Sequence, residues 1–403
     1  MTVHAAPSSI PHDSLVIGSI VDPGGVPRAK AVPASRLDAF SEAGMGASTS
    51  WNVFCADDQL AFTERFSVVG DLRLRLVRAA LRPLEAGLFW APCTVHEQDG
   101  AVASTCSRTA LAAALQRLES DGFQALVGHE VEFVLLPLEA SEPWNAYGLG
   151  AALSHSAFMR ALLRRADTAN LEIEQLHAEY GQGQFELSIA PKPPLEAADD
   201  LVLARVVVAM AARDAGLTAS FSPLALAGLA TSGAHQHLSL VQAGRPLLSG
   251  GDGPHGLTNA GGAAIAGILS ALPSLGAVLA GSPLSAERLK PGRWSGARLC
   301  WGLENREAAV RLVAANGGNP HGAHIEVKPI DATGNPYLST ALLLEAARAG
   351  IEEALVAPEP VDVPPEASTA GLPLLHRGAD AMLAAFGRSR IVRRALGDDL
   401  IEA

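Results

Sequence analysis

Cysteine is scarce in this chain of 403 residues: Cys55, Cys93, Cys106 and Cys300 lie far apart and form no CxxC pair. That spacing argues against a zinc knuckle or a disulfide framework and suits a reducing, cytoplasmic compartment. Positive charge is also short, with 30 Lys and Arg against 42 Asp and Glu and a net charge of −12. A global basic footprint for nucleic acid is therefore absent. The opening residues, MTVHAAPSSIPHDS, lack the basic start and apolar core of a signal peptide. Between Gly256 and Ala286 no residue is charged, yet serines are scattered through the stretch and Pro273 and Pro283 divide it. A membrane span needs about 20 apolar residues. The expectation is instead a buried helix from about Asn259 to Ala271, then a second short one, in a soluble protein without a membrane partner.

Apolar residues, in contrast, are plentiful. A hydrophobic fraction of 48% against 18% charged supports a sizeable core and excludes an intrinsically disordered chain. The length allows two or three domains. In VDPGGVPRAKAV, Pro23-Gly24-Gly25 gives turn chemistry between short apolar runs, as in a hairpin. Phe66 to Leu76 alternates apolar and polar residues, as a half-buried strand does. The stretch from Arg82 to Gly100 is turn-rich and predicts a boundary there. A helix is signalled from Ser107, with helical spacing from Thr109 to Leu118 and a stop at Asp121-Gly122. Ala357 to Pro373 reads as an exposed connection, and Ala379 to Leu396 as a last helix.

Four strand-like segments place ionisable residues two apart, hence on one face, inside apolar runs. These are Glu130 and Glu132; His235, His237 and Ser239; His324, Glu326 and Lys328; and the segment Leu171–Leu187. The last reads as two strands about Gly181-Gln182-Gly183, with Glu179 and Glu186 flanking the turn. For any single strand, alternating carboxylates ordinarily mark a solvent-facing side. Repeated over four strands with flanks as apolar as Phe133-Val-Leu-Leu, that explanation weakens. Carboxylates gathered on one face repel unless cations neutralise them. Many carboxylates with a lone histidine and no cysteine suggest Mg²⁺ or Mn²⁺ over zinc. Spacing alone gives a metal-dependent enzyme of unspecified reaction.

Five motifs in order carry a resemblance: Gly128-His-Glu-Val-Glu-Phe, His177-Ala-Glu-Tyr-Gly-Gln-Gly-Gln-Phe-Glu, Gly233-Ala-His-Gln-His-Leu-Ser-Leu, Glu304-Asn-Arg-Glu-Ala-Ala-Val-Arg, and Ile325-Glu-Val-Lys followed by Asp331 and Asn335-Pro-Tyr-Leu. Together they resemble the glutamine synthetase superfamily. The resemblance implies an α+β chain: an N-terminal β-grasp domain over 1–100, then over 101–403 a catalytic domain with a curved antiparallel sheet flanked by helices. It implies ATP as co-substrate and two divalent ions. Glu132, Glu179 and Glu186 would hold the ion nearer the acid; Glu130, His235 and Glu326 would hold the ion bridging the ATP phosphates. Glu174, His237 and Ser239 would contact ATP, and Arg306 and Arg311 would clamp its phosphates. Gly233, Arg288, Trp294 and Lys328 would line the acid and amine side, Arg288 gripping a carboxylate. Asn335-Pro336-Tyr337 is expected to be structural, a turn leading into a helix. A homo-oligomeric ring, a dodecamer or similar, with sites between subunits is also implied.

The pattern breaks mostly around the acid and the amine. Glutamine-forming members carry an aromatic residue and a glutamate after the Pro-Gly of Arg-Leu-x-Pro-Gly, and that glutamate helps remove a proton. Here Trp294 stands at the glutamate's place. No aspartate lies between Ala43 and Ala56 to help deprotonate ammonium. Leu284-Ser-Ala-Glu-Arg288, Ser222-Pro-Leu-Ala225 and His324-Ile-Glu-Val-Lys328 also depart from the family. Lys328 keeps charge but loses a bidentate fork, and His324 stands where the family carries an ATP-side arginine, which puts that cation in doubt. An indole cannot accept a proton but can line a pocket for a carbon-bearing amine. The expectation is an ATP-dependent carboxylate–amine ligase activating glutamate or a similar acid. The alternatives are a true glutamine synthetase using ammonia, or a catalytically weak nucleotide-binding relative.

Overall fold

The computed structural model describes residues 10–138, 143–319, 322–368, 371–375 and 378–403. The Pro23-Gly24-Gly25 turn joins β1 (Leu15–Val21) to β2 (Pro27–Pro33) in an antiparallel hairpin. With β3 (Met45–Ser48), β4 (Asp71–Leu76), β5 (Arg82–Glu85) and β6 (Leu88–His96) they form a six-stranded sheet, ordered β2-β1-β6-β4-β3 with β5 beside β6. β1 runs parallel to β6. Two expectations need correction here. The strand expected from Phe66 begins only at Asp71, because Gly70 takes a φ of 109° and ends the extended run. The segment expected to be turn-rich after Arg82 contains a central strand. β6 is buried on both faces from Phe89 to Cys93, so it offers no alternation to read.

The second sheet carries β7 (Phe123–Leu136), β8 (Ile173–Ala178), β9 (Gln184–Lys192), β10 (Thr218–Ser220), β11 (Ala234–Gln242), β12 (Arg245–Pro246), β13 (Arg298–Leu303), β14 (Ala308–Val313) and β15 (His324–Ile330). Its order is β13-β14-β15-β11-β7-β9-β8, with β10 on β7 and β12 on β11. It is antiparallel except at β13–β14, which run parallel, so the expected wholly antiparallel sheet is corrected to a mixed one. Glu304, at φ 51°, turns the chain back along the strand so that β14 starts beside Arg298.

Helices cover one face of this sheet. Pro194–Asp214 packs on β7 and β9, and Asn259–Leu279 on β13 to β15. Pro336–Glu352 lies behind them and is buried on every side from Pro336 to Gly350, which makes it the core helix. Asn259–Leu279 runs continuously through Pro273, where a break was expected. A proline removes one backbone bond, but packing holds this helix on both sides of it: Gly267 lies on Gly350 before the proline, and Gly276 on Met382 after it. By length and composition this helix could cross a membrane, yet 67% of its most apolar window is buried within the protein. The expected last helix is two, Ala379–Arg388 and Arg390–Glu402, because the Ser389 hydroxyl caps the second by accepting from the Val392 amide. The Ala357–Pro373 connection is stapled to β13: Trp301 donates to the Pro358 carbonyl, and Asn305 to those of Val361 and Val363.

Asn335 joins the two sheets' surroundings. Its Oδ1 accepts from the Tyr337 and Leu338 amides and caps Pro336–Glu352, while its Nδ2 donates to the carbonyls of Val21 and Asp22. Tyr337 donates to Asp199, which also holds Arg108. The structural role expected of Asn335-Pro336-Tyr337 is the one observed.

Candidate active site

Strand register turns the scattered motifs into one row. Residues directly opposite in a sheet share a face, and Glu130 pairs with His235, Glu132 with Glu186, Glu186 with His177, and Glu326 with both His237 and Arg311. The opposite face of the same strands carries Val127, Val131, Phe133, Leu238, Ile325 and Val327, all buried in the main core. Apolar alternation thus fixes which face of the sheet the ionisable side chains occupy.

Three groups of ligand atoms within 4.8 Å of one another lie along the row: Glu130, Glu186 and His235; Glu130, His237 and Glu326; and His177, Glu179 and Glu186. His235 Nδ1 is 2.9 Å from Glu130 Oε2 and 3.4 Å from Glu326 Oε1. Burial opposes ionisation of Glu130, but His235 and His237 outweigh it and hold the carboxyl below its usual range. Glu326 is buried as well. Lys328 Nζ donates to its Oε1 at 2.9 Å and Arg311 to its Oε2 at 3.0 Å, and the neighbouring cations keep it ionised. Glu179 accepts from the Tyr180 amide and lies 3.1 Å from His177 Nε2, which also favours the carboxylate against burial. Glu186 is the exception. Burial, then the charges of Glu130, Glu132 and Glu179, push its pKa well up. The nearest imidazole nitrogens, of His177 and His235, stand at 3.7 and 3.9 Å, beyond hydrogen-bond reach. A buried carboxylate ringed by carboxylates and lacking a close donor fits a divalent cation with oxygen ligands.

Beside the row, Glu132, Gly233 and Arg288 form a second cluster. Glu132 Oε2 accepts from the Gly233 amide at 2.8 Å and from Gln184 Nε2 at 3.1 Å. Any side chain at Gly233 would strike the Arg288 guanidinium, so only glycine lets that group lie there. Arg288 is buried, donates to the Lys328 carbonyl at 2.7 Å, and keeps Nη1 without a partner among the described residues. A buried guanidinium with a spare donor suits a substrate carboxylate.

The other expected residues differ in placement: His237 belongs to the row, whereas Glu174 and Arg306 are exposed and Glu174 joins no ligand group among the described residues. Ser239 donates to the Ala323 carbonyl at 3.4 Å, and His237 packs edge-on against His324 with ring centres 5.0 Å apart. Trp294 is 52% exposed on a turn. Sequence reading passed over His177 and Gln184 as site residues. Both lie inside a quoted motif, and the two-residue step from His177 to Glu179 was the available signal.

A model of the glutamine synthetase catalytic domain matches residues 104–403. The chain belongs to the glutamine synthetase family. The gamma-glutamylpolyamine synthetase GlnA3 of Streptomyces coelicolor is 35% identical to it, covering 96% of this chain and 87% of that protein. The glutamine synthetase of Methanocaldococcus jannaschii is 30% identical over 70% of this chain and 63% of its own. A solved structure described as a novel glutamine synthase homolog superposes with a TM-score of 0.88 at 31% identity, covering 98% of this chain and 93% of that one. An ADP complex of GmaS shares the fold at a TM-score of 0.84 and 24% identity, covering 96% and 91%. As a member of this family the chain is an ATP-dependent, amide-forming ligase, and family enzymes use divalent metals.

Proposed function

We propose that this ligase joins glutamate, or a similar acid, through its side-chain carboxyl to a primary amine, giving a γ-glutamyl amide. The observation that carries the reading is Trp294, an indole standing where glutamine-forming members carry a proton-accepting glutamate. Similarity to a gamma-glutamylpolyamine synthetase supports the same conclusion. In this proposal a carboxylate oxygen of the acid attacks the γ-phosphorus of ATP and ADP leaves. The amine nitrogen then attacks the acyl carbon, loses a proton, and phosphate departs with the oxygen that came from the acid. Arg288 grips the acid's other carboxylate, while Arg311 and Arg306 offset charge on the transferring phosphoryl group. Glu132, Glu179 and Glu186 would hold one ion, and Glu130, His235 and Glu326 the other. Mg²⁺ or Mn²⁺ there would supply electrostatic stabilisation of phosphate charge. Glu174, His237 and Ser239 are assigned to ATP, and Gly233 and Lys328 to the acid side.

The same reading takes residues 1–100 as a β-grasp domain and 101–403 as the catalytic domain. It places the enzyme in the cytoplasm as a homo-oligomeric ring whose neighbouring subunits complete each site. Each amine methylene buried against Trp294 is worth roughly 0.8 kcal/mol, so two or three shift selectivity by one to two orders of magnitude. At least one primary amine should therefore have a higher kcat/KM than ammonia, and Trp294→Glu should move the ratio towards ammonia. Steady-state phosphate release over an amine panel measures both. Ammonia outpacing every amine, with the ratio unmoved in Trp294→Glu, would leave a glutamine synthetase in its place.

A further inference from the structure

The loop from Leu289 to Gly296 is anchored at both ends beside residues expected in the site. It begins after Arg288, and it ends at Gly296, where an added Cβ would lie 3.0 Å from the Cβ of Lys328 and the Cα of Ala309. Gly292, Trp294 and Gly296 all take positive φ, at 74°, 53° and 75°. Glycine adopts that conformation freely, but for a residue as bulky as tryptophan it is an outlier that its surroundings must enforce. The enforcing group is Glu307. Its Oε1 accepts from the Trp294 amide at 2.8 Å. Its Oε2 is buried without a partner among the described residues.

Glu307 is itself held firmly. Its amide donates to Asn305 Oδ1 at 3.1 Å, and Asn305 Nδ2 donates to the Val361 and Val363 carbonyls at 2.6 and 3.1 Å. The carboxylate therefore acts from a stapled turn on a loop that follows Arg288 and ends against Lys328 and Ala309. We infer that Glu307 is a positioning residue: it latches the 289–296 loop so that the Trp294 indole stands as a wall on the amine side of the site. The inference rests on the amine-ligase reading for its consequence, but the latch itself is a property of the fold.

Hydrogen–deuterium exchange separates the two. Glu307→Ala should speed exchange of the peptide covering 289–299 by tenfold or more. Glu307→Gln, whose amide oxygen can still accept from Trp294, should stay within threefold of wild type. In turnover, Glu307→Ala should raise KM for the best amine at least tenfold while leaving KM for ATP within twofold, and Glu307→Gln should restore it. If Glu307→Ala does not fold, Glu307→Asp keeps the charge but shortens the reach and carries the same expectation. Unchanged exchange in the loop would overturn the latch. Faster exchange with an unmoved amine KM, or with KM for ATP rising equally, would overturn its role in selectivity. An enzyme without amine turnover would fail the ligase reading, and the exchange result would still decide the latch.

Discussion

Buried to 7% exposure beside Glu130, Glu132 and Glu179, the Glu186 carboxylate has a pKa raised by burial and by its acidic neighbours. A raised folded-state pKa means that protonation favours folding. That contribution is complete below the carboxylate's unfolded value and is lost as pH rises through the raised one. Glu186→Gln should therefore be more stable than wild type at pH 8 in EDTA, with the difference shrinking to nearly nothing near pH 4. Chemical denaturation at the two pH values measures this, and equal stabilities at pH 8 would contradict it. Adding Mg²⁺ should raise the Tm of wild type more than that of the variant. At this scale the sequence was informative where alternation applied. Glu130, Glu132, His235, His237, Glu326 and Lys328 were legible as face-sharing residues because β geometry repeats every two positions. Glu307 was not, since a carboxylate in a turn gives no periodic signal and its partner, Trp294, lies more than ten residues away.

Among the elements, the crossing of helices Asn259–Leu279 and Pro336–Glu352 depends on missing side chains. A Cβ on Gly350 would meet the Ala263 carbonyl and lie 2.7 Å from the Gly267 Cα, so the two backbones touch. In an exposed helix, Gly to Ala stabilises by roughly 0.5–1 kcal/mol. Gly350→Ala should instead destabilise by about 1–3 kcal/mol through overpacking, while Gly262→Ala, with open space around it, should follow the ordinary trend. Urea denaturation of the pair tests this, and a gain in stability for Gly350→Ala would refute the close crossing. Sequence patterns located these helices but misjudged one limit. Pro273 is a helix breaker by local chemistry, and only the packing on either side of it explains why the helix continues. The burial of β6 on both faces hid it in the same way, because a strand without a wet side has no alternation.

Across the whole molecule, the row of carboxylates forms only because strands far apart in sequence are brought into register. The order β14-β15-β11-β7-β9-β8 places Arg311 at one end of the row and His177 at the other. The N-terminal hairpin docks on the same body through Asn335. The family motifs made the set of residues recognisable, whereas the pairing partners required the fold. In the proposed reaction this surface activates a carboxylate by phosphorylation before an amine attacks. The most direct measurement uses glutamate labelled with ¹⁸O in its side-chain carboxyl, with ATP, Mg²⁺ and the best amine, followed by mass analysis of the released phosphate. The account predicts one ¹⁸O in each phosphate formed alongside amide product. Unlabelled phosphate, released at the same rate without the acid, would make the protein a nucleotide hydrolase and contradict it.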